Sequence, residues 1–135
     1  MTTTQRLKHL LTLEELTAEG LTDLLELAKA VKASPATYDQ TLAGKKVALL
    51  FEKASTRTRI SFEVGVVELG GHPVVLNGSD MQIGRGESLS DTIQVMSRYV
   101  DALMIRTFAH ETVETLAAHG TIPIINGLTD LHHPC

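Results

Sequence analysis

The chain reads as an α/β protein: a three-layer sandwich in which a central parallel sheet of about four strands lies between helices. Three observations predict this. Helix-like and strand-like segments alternate along the chain, as they do where parallel strands are joined by crossover helices. The strand-like runs, among them Val47-Ala48-Leu49-Leu50-Phe51 and Pro73-Val74-Val75-Leu76, are continuously apolar, as in strands buried on both faces. Finally, 135 residues at 43% apolar and 21% charged content suit one domain with a real core.

Each element follows from local pattern. Leu13 to Lys32 carries Leu16, Leu21, Leu24, Leu25, Ala28 and Val31 at helical spacing, interrupted near Gly20 and ended by Ser34-Pro35. Lys45 to Phe51 is a short apolar strand. Thr56 to Leu69 is helical, with Ile60, Val64 and Val67 on its faces and Gly70-Gly71 to close it. His72 to Asn77 is a strand, followed by a Gly-rich polar stretch from Gly78 to Glu87. Ser88 to Val100 is a helix with Leu89, Ile93, Met96 and Val100 on one side. Ala102 to Arg106 is a strand, His110 to His119 a short helix, and Thr121 to Asn126 a fourth strand.

The remaining bulk properties narrow the function. A net charge of −4 argues against nucleic-acid binding. No apolar run approaches transmembrane length, and the first residues lack the apolar core of a secretory signal, so a cytoplasmic, non-membrane protein is expected. The single cysteine, Cys135, allows no internal disulfide. No His, Cys or Asp spacing looks like a metal site.

In open parallel sheets, ligands lie beyond the carboxyl ends of the strands. Four loops leave those ends: 52–56, 78–87, 107–109 and 127–135. The first holds the most informative run, Phe51-Glu52-Lys53-Ala54-Ser55-Thr56-Arg57-Thr58-Arg59. A helix cap would explain one hydroxyl, Ser55 accepting from the Arg57 or Thr58 N–H. It explains neither three hydroxyls nor two arginines at the positive end of a helix, where cations are disfavoured unless an anion neutralises them. A phosphate is the natural occupant. The run is not a Walker A loop, and Gly84-x-Gly86 is too short for a dinucleotide fingerprint.

The stretch from Phe51 to Glu63, with Ser55-Thr56-Arg57-Thr58-Arg59 at its centre, closely resembles the carbamoyl-phosphate signature of the aspartate/ornithine carbamoyltransferases. The segments Asp80-x-Gln82-x-Gly84-Arg85-Gly86-Glu87-Ser88, Ile105-Arg106-Thr107-Phe108 and Asn126-Gly127-Leu128-x-Asp130-x-x-His133-Pro134-Cys135 resemble the ornithine branch, and Lys8-His9-Leu10-Leu11 is similar to the family's opening. The resemblance spans the chain in order.

It implies that Ser55, Thr56, Arg57 and Thr58 hold the phosphate of carbamoyl phosphate. Arg106 would bridge phosphate and carbonyl oxygen, and His133, with Arg106 and Thr58, would polarise that carbonyl. The implied reaction passes the carbamoyl group to L-ornithine, giving L-citrulline and phosphate without metal or organic cofactor. Fixed donors at a developing oxyanion would supply several kcal/mol. Gln82 would reach a neighbouring subunit's site, implying a homo-trimer or a multiple of trimers. Leu128 would touch ornithine through its backbone. Arg85 and Glu87 would order the Gln82 loop, and Asp130 and His132 the His133 loop. Arg59 is expected to pair with Glu63 one turn on; Lys53 could contact ligand or not. His110 and His119 are expected to be solvated.

The family's chains carry a second α/β domain with the ornithine contacts. Residues 1–135 are therefore expected to be the carbamoyl-phosphate domain, with the ornithine-binding domain absent and little or no turnover alone. The loop ending in His132-His133-Pro134 would be poorly held at a terminus, so either it frays or the natural chain continues. Two rivals remain: a carbamoyltransferase for another amine, and a non-catalytic phosphate-binding or assembly module.

Overall fold

The computed structural model of the chain describes residues 6–78 and 88–135. Gln82, Arg85 and Glu87, singled out from the sequence, lie outside them. Among the described residues the strands are β1 (Lys46–Phe51), β2 (His72–Asn77), β3 (Ala102–Arg106) and β4 (Ile124–Leu128). The helices are α1 (Ala18–Ala33), α2 (Arg57–Glu68), α3 (Leu89–Met96) and α4 (His110–His119). All strand pairs are parallel, in the order β2-β1-β3-β4.

Because successive side chains on a strand face opposite ways, β1 feeds two cores. Ala48 and Leu50 join Leu103, Ile105 and Ile124 on the face covered by α3 and α4, through Ile93, Val113 and Leu116. Val47, Leu49 and Phe51 join Met104 on the other face, against Phe62 and Val66 of α2. This is the three-layer arrangement, and it explains why β1 and β3 are apolar without alternation. Leu103, Met104, Ile105 and Ile124 are fully buried, each worth about 1.5–3 kcal/mol.

Several boundaries moved for local reasons. The first helix does not run from Leu13. A 3-10 turn at Leu13–Glu15, closed by a Thr12/Glu15 capping box, comes first, and Thr17 then caps α1 by accepting from the Gly20 N–H at 2.9 Å. Gly20 is thus inside the helix rather than at its interruption. In α2 the buried side chain is Val66, with Phe62 beside it, while Ile60, Val64 and Val67 face outward. The helix closes on a Schellman motif: Gly70, at φ +87°, donates to Val67 O and Gly71 to Val66 O. α3 stops at Met96, where the Ser97 hydroxyl turns back to Ile93 O at 2.6 Å.

β4 starts three residues later than its composition suggests and runs through Leu128. A register irregularity between Ile105 and Arg106 lets Asn126 pair with Ile105 and Leu128 with Arg106. Gly127 permits this, because a Cβ there would run into Met104 Sδ and sit 3.1 Å from Ile105 O. Beyond β4, Leu10 forms a parallel bridge to Ile125, so the segment around His9–Thr12 lies along that edge of the sheet.

Candidate functional site

The chain leaves β1 for β2 on one side and returns to β3 on the other. Between β1 and β3 the connections diverge, and an open α/β sheet has its crevice there. The loop after β1 and the tip of β3 face each other across it. They are tied by the Glu52 N–H, which donates to Arg106 O at 2.9 Å, and by the Thr107 hydroxyl, which donates to Glu52 Oε2 at 3.1 Å.

A hollow of about 430 Å³ opens at this point, lined by Ala54, Ser55, Thr56, Arg57, Thr58, Arg106 and His133. The loop after β1 with the start of α2, the tip of β3 and the loop after β4, widely separated in sequence, thus meet at one place; of the four loops expected there, 107–109 contributes no lining residue to this hollow and most of 78–87 lies outside the described residues. Arg106 Nη1 donates to Thr58 Oγ1 at 3.4 Å. Arg106 Nε is buried and has no hydrogen-bond partner among the described residues.

The end of α2 that faces the hollow is uncapped. Its N-cap, Thr56, makes no side-chain capping bond, and no acidic residue lies in the first turn. α1 is capped by Thr17, α3 by Ser88 (from the Asp91 N–H), and the α4 N-terminal His110 N–H is taken by Asp130 Oδ1. Ser55 therefore does not act as a cap. The N–H groups of the first turn point outward with a partial positive charge, and Arg57 and Arg106 add whole charges. Such a set of donors fits a phosphate.

Of the other predicted residues, Leu128 is outside the lining of the hollow. Its N–H is occupied by Asn126 Oδ1 at 2.9 Å, and its carbonyl accepts from the Thr107 N–H at 2.9 Å, leaving one carbonyl lone pair. Arg59 pairs with Glu63, Nε to Oε2 at 3.8 Å, as its spacing suggests. Lys53 Nζ stands 5.2 Å from the centre of the Phe108 ring, within cation–π range. Lys53 and Arg59 line a second hollow of about 510 Å³ that shares Ala54 and Ser55 with the first.

The expectation of a solvated His110 is overturned. Its ring is buried, with Nδ1 2.8 Å from Thr129 Oγ1 and the His132 ring 4.7 Å away. Sequence reasoning also passed over Asn126 and Thr129, both buried and hydrogen-bonded to the loop that bears His133. The available signal was a polar side chain ending a continuous apolar strand. Among the described residues no three His, Cys, Asp or Glu side chains group as a metal site.

Residues 8–135 match the family model of the aspartate/ornithine carbamoyltransferase carbamoyl-phosphate-binding domain. An ornithine carbamoyltransferase of Listeria monocytogenes serotype 4a (strain HCC23) is 57% identical over 128 residues, 95% of this chain and 40% of that protein. The chain thus spans about 40% of the length of this curated relative. The solved ornithine carbamoyltransferase of Pyrococcus furiosus superposes with a TM-score of 0.90 at 48% identity, over 95% of this chain and 42% of that one. An N-acetyl-L-ornithine transcarbamylase superposes with a TM-score of 0.84 at 32% identity, over 96% of this chain and 45% of that one.

Proposed function

The chain belongs to the aspartate/ornithine carbamoyltransferase family, as its carbamoyl-phosphate-binding domain, and from that premise we propose that it binds carbamoyl phosphate for transfer to L-ornithine. The supporting observation is the convergence on one hollow of the uncapped α2 terminus, Arg57, Arg106, whose Nε has no partner among the described residues, and His133.

The phosphate takes the N–H groups of the α2 first turn, with Ser55, Thr56, Thr58 and Arg57 around it. Arg106 stands between phosphate and carbonyl, and His133 with Thr58 donates to the carbonyl oxygen. The neutral amine of ornithine attacks the carbonyl carbon. A C–N bond forms, charge gathers on the oxygen under those donors, and the bond between the carbonyl carbon and the bridging oxygen then breaks. Phosphate departs with that bond's electron pair and takes up the proton that the amine nitrogen gives up. The products are L-citrulline and phosphate, and the step uses no protein nucleophile.

The amine half of the site falls to a second domain outside residues 1–135. Leu128 offers ornithine its remaining carbonyl lone pair. Gln82 reaches a neighbouring copy's site, making the active species a homo-trimer or a multiple of it. The setting is cytoplasmic, and arginine metabolism is the context.

The relation to an N-acetyl-L-ornithine transcarbamylase supports a second reading. The same domain can serve an acylated acceptor, and the acceptor is chosen elsewhere. The higher identities to ornithine enzymes favour ornithine.

Calorimetric titration with carbamoyl phosphate tests the domain's role: saturable binding, competed by inorganic phosphate, is expected. No heat with either ligand would overturn it. A citrulline assay on the 135-residue chain should show little or no turnover; ordinary turnover would overturn the assignment of the amine half to a second domain.

A further inference from the structure

Asn126 is fully buried within β4, two residues before the strand gives way to the loop bearing His133. Its Nδ2 donates to Leu11 O at 2.9 Å, and also stands 3.3 Å from His132 O and 3.4 Å from Thr129 Oγ1. Its Oδ1 accepts from the Leu128 N–H. One amide therefore spans the N-terminal segment, the irregular end of β4 and the turn before His133.

Thr129 closes the knot. Its Oγ1 accepts from the His132 N–H at 3.2 Å, lies 3.2 Å from His132 O, and lies 2.8 Å from His110 Nδ1. A hydroxyl has one hydrogen and two lone pairs. The His132 N–H occupies one lone pair, and the hydroxyl hydrogen faces two acceptors, His132 O and, in one ring tautomer, His110 Nδ1. The His110 N–H is itself fixed by Asp130 Oδ1.

Three of these contacts end on the peptide groups of His132, the residue before His133. We propose that Asn126 and Thr129 are positioning residues: by holding His132 they set where His133 stands relative to Arg106 and Thr58. The inference rests on the role proposed above for His133.

The test uses two ligands on the 135-residue chain. Inorganic phosphate reports the α2 cradle alone. The phosphonate isostere of carbamoyl phosphate, with a methylene in place of the bridging oxygen, also reports the carbonyl donors. Thr129→Val should weaken the isostere about tenfold, the worth of one well-placed hydrogen bond, and leave phosphate within about twofold. Thr129→Ser should restore the isostere. If wild type binds neither ligand, the functional reading itself has failed. If wild type binds both and a folded Thr129→Val keeps its isostere affinity, the positioning role is overturned while that reading stands. Should Thr129→Val not fold, Thr129→Ala takes its place: a weakened isostere with phosphate unchanged supports the positioning role, and an unchanged isostere overturns it.

Discussion

Arg106 Nη1 donates to Thr58 Oγ1 across 3.4 Å, joining the tip of β3 to the first turn of α2. The bond is long and weak. Its importance is geometric: the guanidinium already stands over the hollow, while its Nε has no partner among the described residues. Four predictions follow from the site and the fold that holds it.

Arg57 is exposed at the rim of the hollow. Arg57→Ala should weaken phosphate binding by about 1.5–3 kcal/mol, the range of a charged hydrogen bond, and leave the melting temperature nearly unchanged. Calorimetry on wild type and variant measures the difference. Equal affinities would remove the 55–59 turn from the site.

The caps of α2 and α3 make a controlled pair. Ser88 accepts from the Asp91 N–H at 3.1 Å, whereas Thr56 makes no side-chain capping bond. Ser88→Ala should cost about 1 kcal/mol of stability, and Thr56→Ala well under that. Urea midpoints provide the comparison. A Thr56→Ala loss as large as that of Ser88→Ala would mean the hydroxyl is a cap after all.

Gly127→Ala puts a methyl against Met104 Sδ and the Ile105 carbonyl, where neither the buried side chain nor the strand backbone can easily yield. A loss of about 1–3 kcal/mol is expected from overpacking. A variant as stable as wild type, by chemical unfolding, would show that the end of β4 has room to shift.

His9 Nδ1 accepts from the Ile124 N–H at 2.9 Å, which requires an unprotonated nitrogen. Burial, then the charge of Lys8, hold its pKa below the ordinary 6.5, against an opposing pull from Glu15. Below 6.5 the unfolded chain takes up a proton that the folded chain still refuses. His9 therefore adds its full stabilisation above 6.5 and loses it as pH falls through the folded value. His9→Asn keeps an acceptor without the titration, so its stability should fall less steeply over that interval. Identical slopes for the two proteins would refute the contribution.

What the sequence disclosed was what is local. The continuous apolar runs gave the parallel strands, and Leu89, Ile93, Met96 and Val100 did form the buried side of α3 and the turn after it. The Ser55–Thr58 run, Arg106 and His133 did meet around one hollow. Non-local pairing was hidden. Nothing in His9-Leu10-Leu11 signals that it will lie beside β4, because a single bridge has no periodicity. His110 looked like a polar helix end, and it is Thr129, 19 residues on, that gives its buried ring a hydrogen-bond partner. In α2, Val64 and Val67 promised burial as strongly as Val66 did; the direction in which the helix meets the sheet decided otherwise.

The two edges of the sheet differ in a way that bears on solubility. Along β4, the His9–Thr12 segment already occupies part of the rim. Along β2, no described segment does so. The His72 N–H turns inward to Lys45 O, so Val74 and Leu76 also face β1, and Pro73, Val75 and Asn77 face out. The first of these has no N–H to offer. A stray strand arriving there finds an interrupted row of donors, which discourages copies of the chain from adding edge to edge.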